Sequence, residues 1–395
     1  MRPLRIATVC FPALGGSGRV AALLAHAMAE RGHENWVVAT GRPAALPGDT
    51  RVRFREVDVP SYPALPHPPY DLALASALLE IEREHGLDII HAHYAIPHAA
   101  VAFLARAAAA APPPAIVTTL HGTDVTRLAR EPAHLPMTRF CIGASDVVTA
   151  PSVALAETAR TELDLRPDRS IDVVPNFTDP DVFYSAAPRD PAVLDRYFRS
   201  SQAGLPTVLH VSNLRPVKRV RDVLEAFTHA HAGPELPRLM IVGDGPDRVD
   251  LEMRARQLGI EERVAFIGER REIADLVRQA DVFLLTSEHE SFGLAALEAL
   301  ASGVPVVATR AGGVSEVVRD GETGFLADVG DVRALSDALT RVLSDVELRG
   351  RLAAAAVDDA RSRFRPAPII DRYEALYRRV VESAGVPRAV GDTEP

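Results

Sequence analysis

Cysteine is nearly absent. Cys10 and Cys141 are the only two in 395 residues, and neither stands in a CxxC or Cys/His spacing. This excludes a disulfide framework and a zinc site of familiar spacing, and it suits a reducing, cytoplasmic setting. Basic charge is not in excess either: 44 Lys and Arg face 53 Asp and Glu, for a net charge of −9. A general nucleic-acid binder or a protein held on an anionic membrane would carry the opposite balance, so any phosphate site has to be a local basic pocket. Long apolar runs are missing as well. Arg106 and the triplet Pro112-Pro113-Pro114 interrupt the longest alanine-rich stretch, short of the roughly 18 residues that a spanning helix needs. The apolar start over 4–11, after Arg2 and Arg5, mimics a signal peptide, but Pro12 and a glycine cluster follow where a cleavage site would stand. A soluble chain without stable membrane association is expected.

What is present is the composition of a packed enzyme, 47% hydrophobic and 25% charged. The length exceeds one ordinary α/β core and suits two domains, which leave a cleft between them. In the first half, a strand over 6–10 is followed by Val20, Leu23, Leu24, Ala27 and Met28 at helical spacing, a stop at Gly32, and a second strand over 36–40. Further buried strands are expected over 89–90, 115–119, 147–150 and 171–174, which makes this half a doubly wound parallel sheet. A polar stretch over 185–205 precedes a fresh series of strands over 207–211, 239–242, 264–267, 282–285 and 306–308, separated by helical segments. The pattern from 332 to 380 is helical with a break at Pro366. The expected division is therefore 1–184 for an amino-terminal domain, 185–365 for a carboxy-terminal one, 366–383 for a last helix and 384–395 for a frayed tail.

Ligands in such sheets bind beyond the carboxyl ends of the strands, so the loops there hold the candidates. Gly15-Gly16-Ser17-Gly18 joins the first strand to the first helix, where bare amides at a positive helix end can approach an anion. Gly16, Gly18 and Ala21 also satisfy G-x-G-x-x-A, which keeps a nicotinamide-dependent oxidoreductase in view. No Asp or Glu ends the second strand at Ala39 and Thr40 to hold a ribose, however, and an unliganded tight turn is the plainer alternative. His121 follows a buried strand and can be either a ligand contact or a structural hydrogen-bonder. His91 and His93 alternate on one strand face like a metal pair, but no third ligand stands at familiar spacing, so no metal site is expected.

The most specific segment is Glu290-Ser291-Phe292-Gly293-Leu294-Ala295-Ala296-Leu297-Glu298, which leaves a strongly apolar strand and enters a helix rich in alanine and leucine. Two glutamates eight residues apart on one helix would diverge by about 80°. The spacing makes better sense if Gly293 opens the helix, with Glu290 in the loop before it, the amides near Gly293 and Leu294 facing a diphosphate, and Glu298 farther along to accept from hydroxyls. Arg215 and Lys218 follow Val211-Ser212-Asn213 at the end of the first strand of the second half. Two cations there can stabilise a departing phosphate much as a divalent metal would. Solvated charges are the alternative for both segments. Gly243-Asp244-Gly245-Pro246 is a strand-ending turn and either a donor contact or plain turn chemistry.

Together these segments resemble the retaining glycosyltransferases of family 4, with two facing Rossmann-like domains (the GT-B fold) and a signature of two glutamates at the spacing of Glu290 and Glu298. The strings His93-Tyr94-Ala95-Ile96-Pro97-His98-Ala99, Leu120-His121-Gly122-Thr123-Asp124-Val125-Thr126 and Arg215-Pro216-Val217-Lys218-Arg219 are similar to the branch that attaches N-acetylglucosamine to L-malate in bacillithiol biosynthesis. The resemblance implies UDP-N-acetylglucosamine as donor and L-malate as acceptor, no cofactor and no metal, with retained configuration. It implies catalytic roles for His121, Arg215, Lys218 and Glu290, and donor binding by Gly16, Asn213, Gly243, Phe292, Gly293, Leu294 and Glu298. Acceptor binding falls to Ser17, Tyr94 and Thr119, and the last helix is expected to return to the first domain. Small molecules are the expected partners, with self-association into a homo-oligomer left open. Leu214 stands where an aromatic is common, Ser315 where proline is usual, and Arg19 adds a cation that favours an anionic acceptor, either malate or a phosphorylated polyol. A polysaccharide or lipid-linked glycan is the remaining acceptor class in the family.

Overall fold

A computed structural model describes residues 2–12, 15–61, 67–183, 189–233 and 236–384. The chain divides into two compact units, one made of 1–175 with 367–395 and the other of 176–366. The expected change of domain at 184/185 is thus displaced to 175/176, and residues 184–188 and the expected tail from 385 onward lie outside the described residues. The polar stretch after 188 folds rather than linking. Its short helix Ala192–Asp195 buries Leu194 in the core of the second unit, beside Phe183, Phe283 and Leu300.

The first unit contains a parallel seven-stranded sheet of β1 (Arg5–Val9), β2 (Glu34–Ala39), β3 (Arg53–Glu56), β4 (Ile89–His93), β5 (Ala115–Thr119), β6 (Val147–Ala150) and β7 (Asp172–Val173), in the order β3-β2-β1-β4-β5-β6-β7. β4 and β5 are buried on both faces, which is why they read as near-continuous apolar runs. β3 was not anticipated. It is a polar edge strand, Arg-Phe-Arg-Glu, with neither alternation nor burial to mark it. β2 starts two residues earlier than its apolar run, because Glu34 and Asn35 extend the ladder onto Arg5 and Ile6.

The second unit holds a parallel six-stranded sheet of β8 (Thr207–Val211), β9 (Arg238–Val242), β10 (Val264–Phe266), β11 (Val282–Leu285), β12 (Val306–Thr309) and β13 (Gly324–Ala327), ordered β10-β9-β8-β11-β12-β13. β13 was also unforeseen, since four residues opening on glycine carry no strand period. Helices Val332–Ser344 and Val346–Arg363 belong to this unit, and Pro366 opens the last helix, Pro366–Ala384, which joins the first unit from Ala367 onward. There the Tyr377 hydroxyl lies 2.7 Å from His91 Nδ1, while Arg31 pairs with Asp371 and Glu374. No helix among the described residues is long and apolar enough to cross a membrane.

In each sheet the order reverses once, between β1 and β4 in the first unit and between β8 and β11 in the second. Strand connections diverge at such a point and leave a crevice at the carboxyl ends. The glycine loop and Tyr94 leave β1 and β4; Asn213 and Glu290 follow β8 and β11.

Candidate functional site

In the second unit, β8 delivers a tight turn, the 3-10 helix Pro216–Lys218, closed by Arg219 in the left-handed region at φ 47°. This strained turn is held from β11: Thr286 Oγ1 lies 3.1 Å from the Lys218 carbonyl and 2.9 Å from that of Arg219, and the Glu288 amide donates to Val217 O. Lys218 is thereby aimed at Glu290, and its Nζ donates to Glu290 Oε1 at 2.5 Å. The Ser287 hydroxyl donates to the same oxygen at 2.9 Å, and the Gly313 amide donates to the Glu290 carbonyl. Arg215 is exposed on the same turn, and its guanidinium makes no hydrogen bond or ion pair among the described residues. Asn213 is exposed just before it.

Gly293, at φ 91°, caps the helix Leu294–Ala301, so Glu290 lies in the loop and Glu298 within the helix, as the spacing predicts. Glu298 is only 3% exposed. The Phe292 side chain turns into the core against Phe364, and Leu294 packs on the same core, so these two positions offer a ligand their backbone amides rather than their side chains. Gly243 is pressed onto the Asn213 loop: a Cβ there would stand 1.9 Å from the Ser212 carbonyl oxygen, at a φ of 129°. Leu214 N donates to Asp244 O and ties the two loops together. Beneath them, His210 is buried between Leu284 O and Ser212 Oγ, with burial holding it down to about 4.

In the first unit, Gly16 and Ser17 occupy the first turn of the helix Gly16–Glu30, with Gly15 as its cap. The Tyr94 hydroxyl donates to Ser17 Oγ at 3.2 Å, which joins two of the expected acceptor residues. Tyr94 follows β4 at φ 92°, and its ring sits between Phe11 and His121 with centroids 5.4 Å and 4.9 Å away. Asp124 clamps the two loops, accepting from the amides of Ala95, His121 and Gly122, and burial raises the pKa of its carboxyl. His121 Nε2 lies 2.9 Å from His93 Nδ1, and burial pushes the His121 imidazole down to about 3.

Thr119 departs from the expected acceptor role. It is completely buried, and its hydroxyl lies between His91 Nε2 and Thr149 Oγ1, both at 2.7 Å. Its hydroxyl is thus taken up within the first unit, on the face that Tyr373 and Tyr377 of the last helix cover. Four side chains that contact the expected site residues were not foreseen as partners: His93, Asp124, Ser287 and Thr286. Each acts on a residue brought near by sheet order, except Ser287, which stands three positions before Glu290 in a loop that sequence period does not describe.

Two doubly wound parallel sheets, the second carrying a lysine paired with the first of two glutamates around a glycine-opened helix, define a GT-B glycosyltransferase. The chain belongs to glycosyltransferase family 4. The family model "Glycosyltransferase Family 4" matches 14–182 and "Glycosyl transferases group 1" matches 196–359. The N-acetyl-alpha-D-glucosaminyl L-malate synthase of Bacillus anthracis is 40% identical over 379 residues, 96% of this chain and 97% of that one. The D-inositol 3-phosphate glycosyltransferase of Xylanimonas cellulosilytica is 33% identical over 372 residues, 87% of this chain and 86% of that one. Among solved structures, the fold matches Anabaena HepE in complex with UDP and glucose, with TM-score 0.78 and 22% identity over 95% of this chain and all of that one. It also matches the sucrose-phosphate synthase of Thermosynechococcus elongatus, with TM-score 0.80 and 21% identity over 96% and 100%. The nicotinamide reading of the glycine loop falls with this assignment, and β2 indeed ends at Ala39 without an acidic residue.

Proposed function

We propose that this glycosyltransferase moves N-acetylglucosamine from UDP-N-acetylglucosamine to the hydroxyl of L-malate in the cytoplasm, with retention at the anomeric carbon and without a metal ion, as the first step of bacillithiol biosynthesis. The observation that carries this reading is the 40% identity, sustained over 96% of the chain, with an enzyme named for that product.

The residues have the chemistry the reaction needs. Glu298, buried in the helix Leu294–Ala301, accepts from the ribose hydroxyls, and the amides at Phe292, Gly293 and Leu294 bind the diphosphate and sugar. As the bond to UDP breaks, charge grows on the β-phosphate, and Lys218 and Arg215 stabilise it from fixed positions. Asn213 and Gly243 border the nucleotide, and Gly243 lets two backbones come together there. Ser17 and Tyr94 hold the acceptor, Gly16 lies near phosphate, and His121 touches the donor sugar. The acceptor hydroxyl attacks from the face that UDP leaves, and the departing phosphate oxygen takes its proton. Glu290 then orients Lys218 and the sugar, and the acid and base carboxylates of hydrolases have no counterpart.

A phosphorylated polyol is the second acceptor reading, favoured by Arg19 in the first turn of the glycine helix and by the inositol-phosphate relative. UDP release from UDP-N-acetylglucosamine, followed with L-malate, inositol phosphates and neutral polyols in turn, tests both. Malate alone is expected to stimulate release; stimulation by an inositol phosphate and not by malate overturns the malate reading.

A further inference from the structure

His93 is fully buried at the end of β4, and its two ring nitrogens are in unlike circumstances. Nδ1 lies 2.9 Å from His121 Nε2, whereas Nε2 has no partner. The neighbouring histidines cannot supply one, since His91 is engaged by Tyr377 and Thr119, and His98 by the His93 carbonyl and the Tyr70 hydroxyl. Burial keeps both His93 and His121 neutral, so each ring carries one hydrogen. Were His121 Nε2 the donor, the hydrogen of His93 would sit on Nε2 as a buried N–H with nothing to receive it. With His93 Nδ1 as the donor, Nε2 keeps only a bare lone pair, in line with main-chain groups, among which orphaned buried N–H is rarer than an under-satisfied acceptor.

We propose that His93 is a positioning residue: by donating from Nδ1 to His121 Nε2 it fixes His121 as the Nδ1–H tautomer, and so makes His121 a hydrogen-bond donor to an oxygen of the donor sugar. The sugar half of this statement rests on the proposed function; the tautomer half does not. The geometry supports both halves. The two imidazoles meet edge to edge and nearly coplanar, with centroids 5.1 Å apart and 25° between their planes, as an in-plane N–H···N bond requires; the Tyr94 ring lies 4.9 Å from that of His121, and His121 Nδ1 makes no hydrogen bond among the described residues. Such a partner for the second ring nitrogen is what decides whether a histidine presents a donor or an acceptor to a ligand.

Histidine-selective 15N labelling of the full chain reads the tautomer directly, with the His121 signals assigned by their loss in His121→Gln. His121 is expected to show a protonated Nδ1 and a bare Nε2; the reverse pattern overturns the proposal, whatever the enzyme's substrate. Kinetics test the consequence. His93→Leu keeps bulk but no donor, and its kcat/KM with UDP-N-acetylglucosamine is expected to fall about tenfold or more, as loss of an orienting partner commonly does. His93→Asn, smaller but with an N–H near the place of Nδ1, is expected to retain more activity than Leu. A packing role would rank the two the other way, and that ranking overturns the proposal. Melting curves exclude loss of fold; if neither variant folds, the wild-type tautomer decides. A wild-type enzyme that ignores UDP-N-acetylglucosamine rejects the proposed function and the sugar contact, while the 15N pattern still decides the role of His93.

Discussion

Lys218 Nζ donates to Glu290 Oε1 over 2.5 Å although the two residues stand 72 positions apart, one after β8 and the other after β11. These are the two strands that flank the reversal of order in the second sheet, so the pair marks its crevice. Lys218 is 21% exposed and Glu290 14%, enough for a ligand's phosphate to share the ammonium. Removing the cation by Lys218→Ala, in a folded protein, is expected to cost turnover about 10²- to 10³-fold, about 3–4 kcal/mol, like deletion of an oxyanion donor. UDP release measures it, and undiminished turnover rejects the role.

The two glutamates should separate by ligand. Glu298→Gln is expected to weaken UDP and UDP-N-acetylglucosamine alike, by about 1.5–3 kcal/mol for a hydrogen bond to a charged group. The rise in melting temperature that UDP produces would shrink accordingly. Glu290→Gln removes a negative charge beside Lys218 and leaves UDP binding intact or stronger while turnover falls. Equal effects of both variants on UDP binding would contradict the division of roles.

Gly243 is tested by bulk. A Cβ at this position meets the Ser212 carbonyl oxygen at 1.9 Å, whereas one at Gly15 meets nothing within 4 Å. Gly243→Ala should therefore push apart the Asn213 and Gly243 loops and lower both melting temperature and UDP affinity, and Gly15→Ala should leave stability near wild type. Thermal melts with and without UDP read both changes.

Acid should destabilise the fold before most carboxylates titrate. Burial holds His91 and His121 at about 3, and His98 and His210 at about 4, against an ordinary 6.5. Each stays neutral when folded but gains a proton in the unfolded chain, so the unfolded state binds more protons below pH 6.5 and stability falls as pH falls from there toward about 4. Glu374, drawn down to about 2 chiefly by its hydrogen bond from Arg378, adds to the loss below its ordinary 4.5; Asp124, whose pKa burial raises, opposes it. Melting temperature is expected to decline steadily between pH 6.5 and 4, and a flat profile there would contradict the burial of these histidines in neutral form.

Much of the candidate site in the second unit was legible because its signals are local. The helix opened by Gly293, with Glu290 before it and Glu298 inside, follows from the order of glycine and apolar residues alone. The strands buried on both faces declared themselves by apolar runs, while β3 and β13 did not, one being a polar edge and the other a four-residue segment opening on glycine. What escaped depends on pairing at a distance. His93 reaches His121 because β4 and β5 run side by side with His93 opposite Thr119, a register no residue count discloses. Thr119 was misplaced for the same reason: its face of the sheet is covered by Tyr373 and Tyr377, from a helix more than two hundred residues on.

In the proposed transfer, malate attacks from the side that UDP leaves. The product of a reaction between UDP-N-acetylglucosamine and L-malate, examined by proton NMR at the anomeric position while UDP is counted, tests this directly. An α-linked N-acetylglucosaminyl malate formed one for one with UDP is predicted; a β-linked product, or UDP released without any malate conjugate, would contradict it.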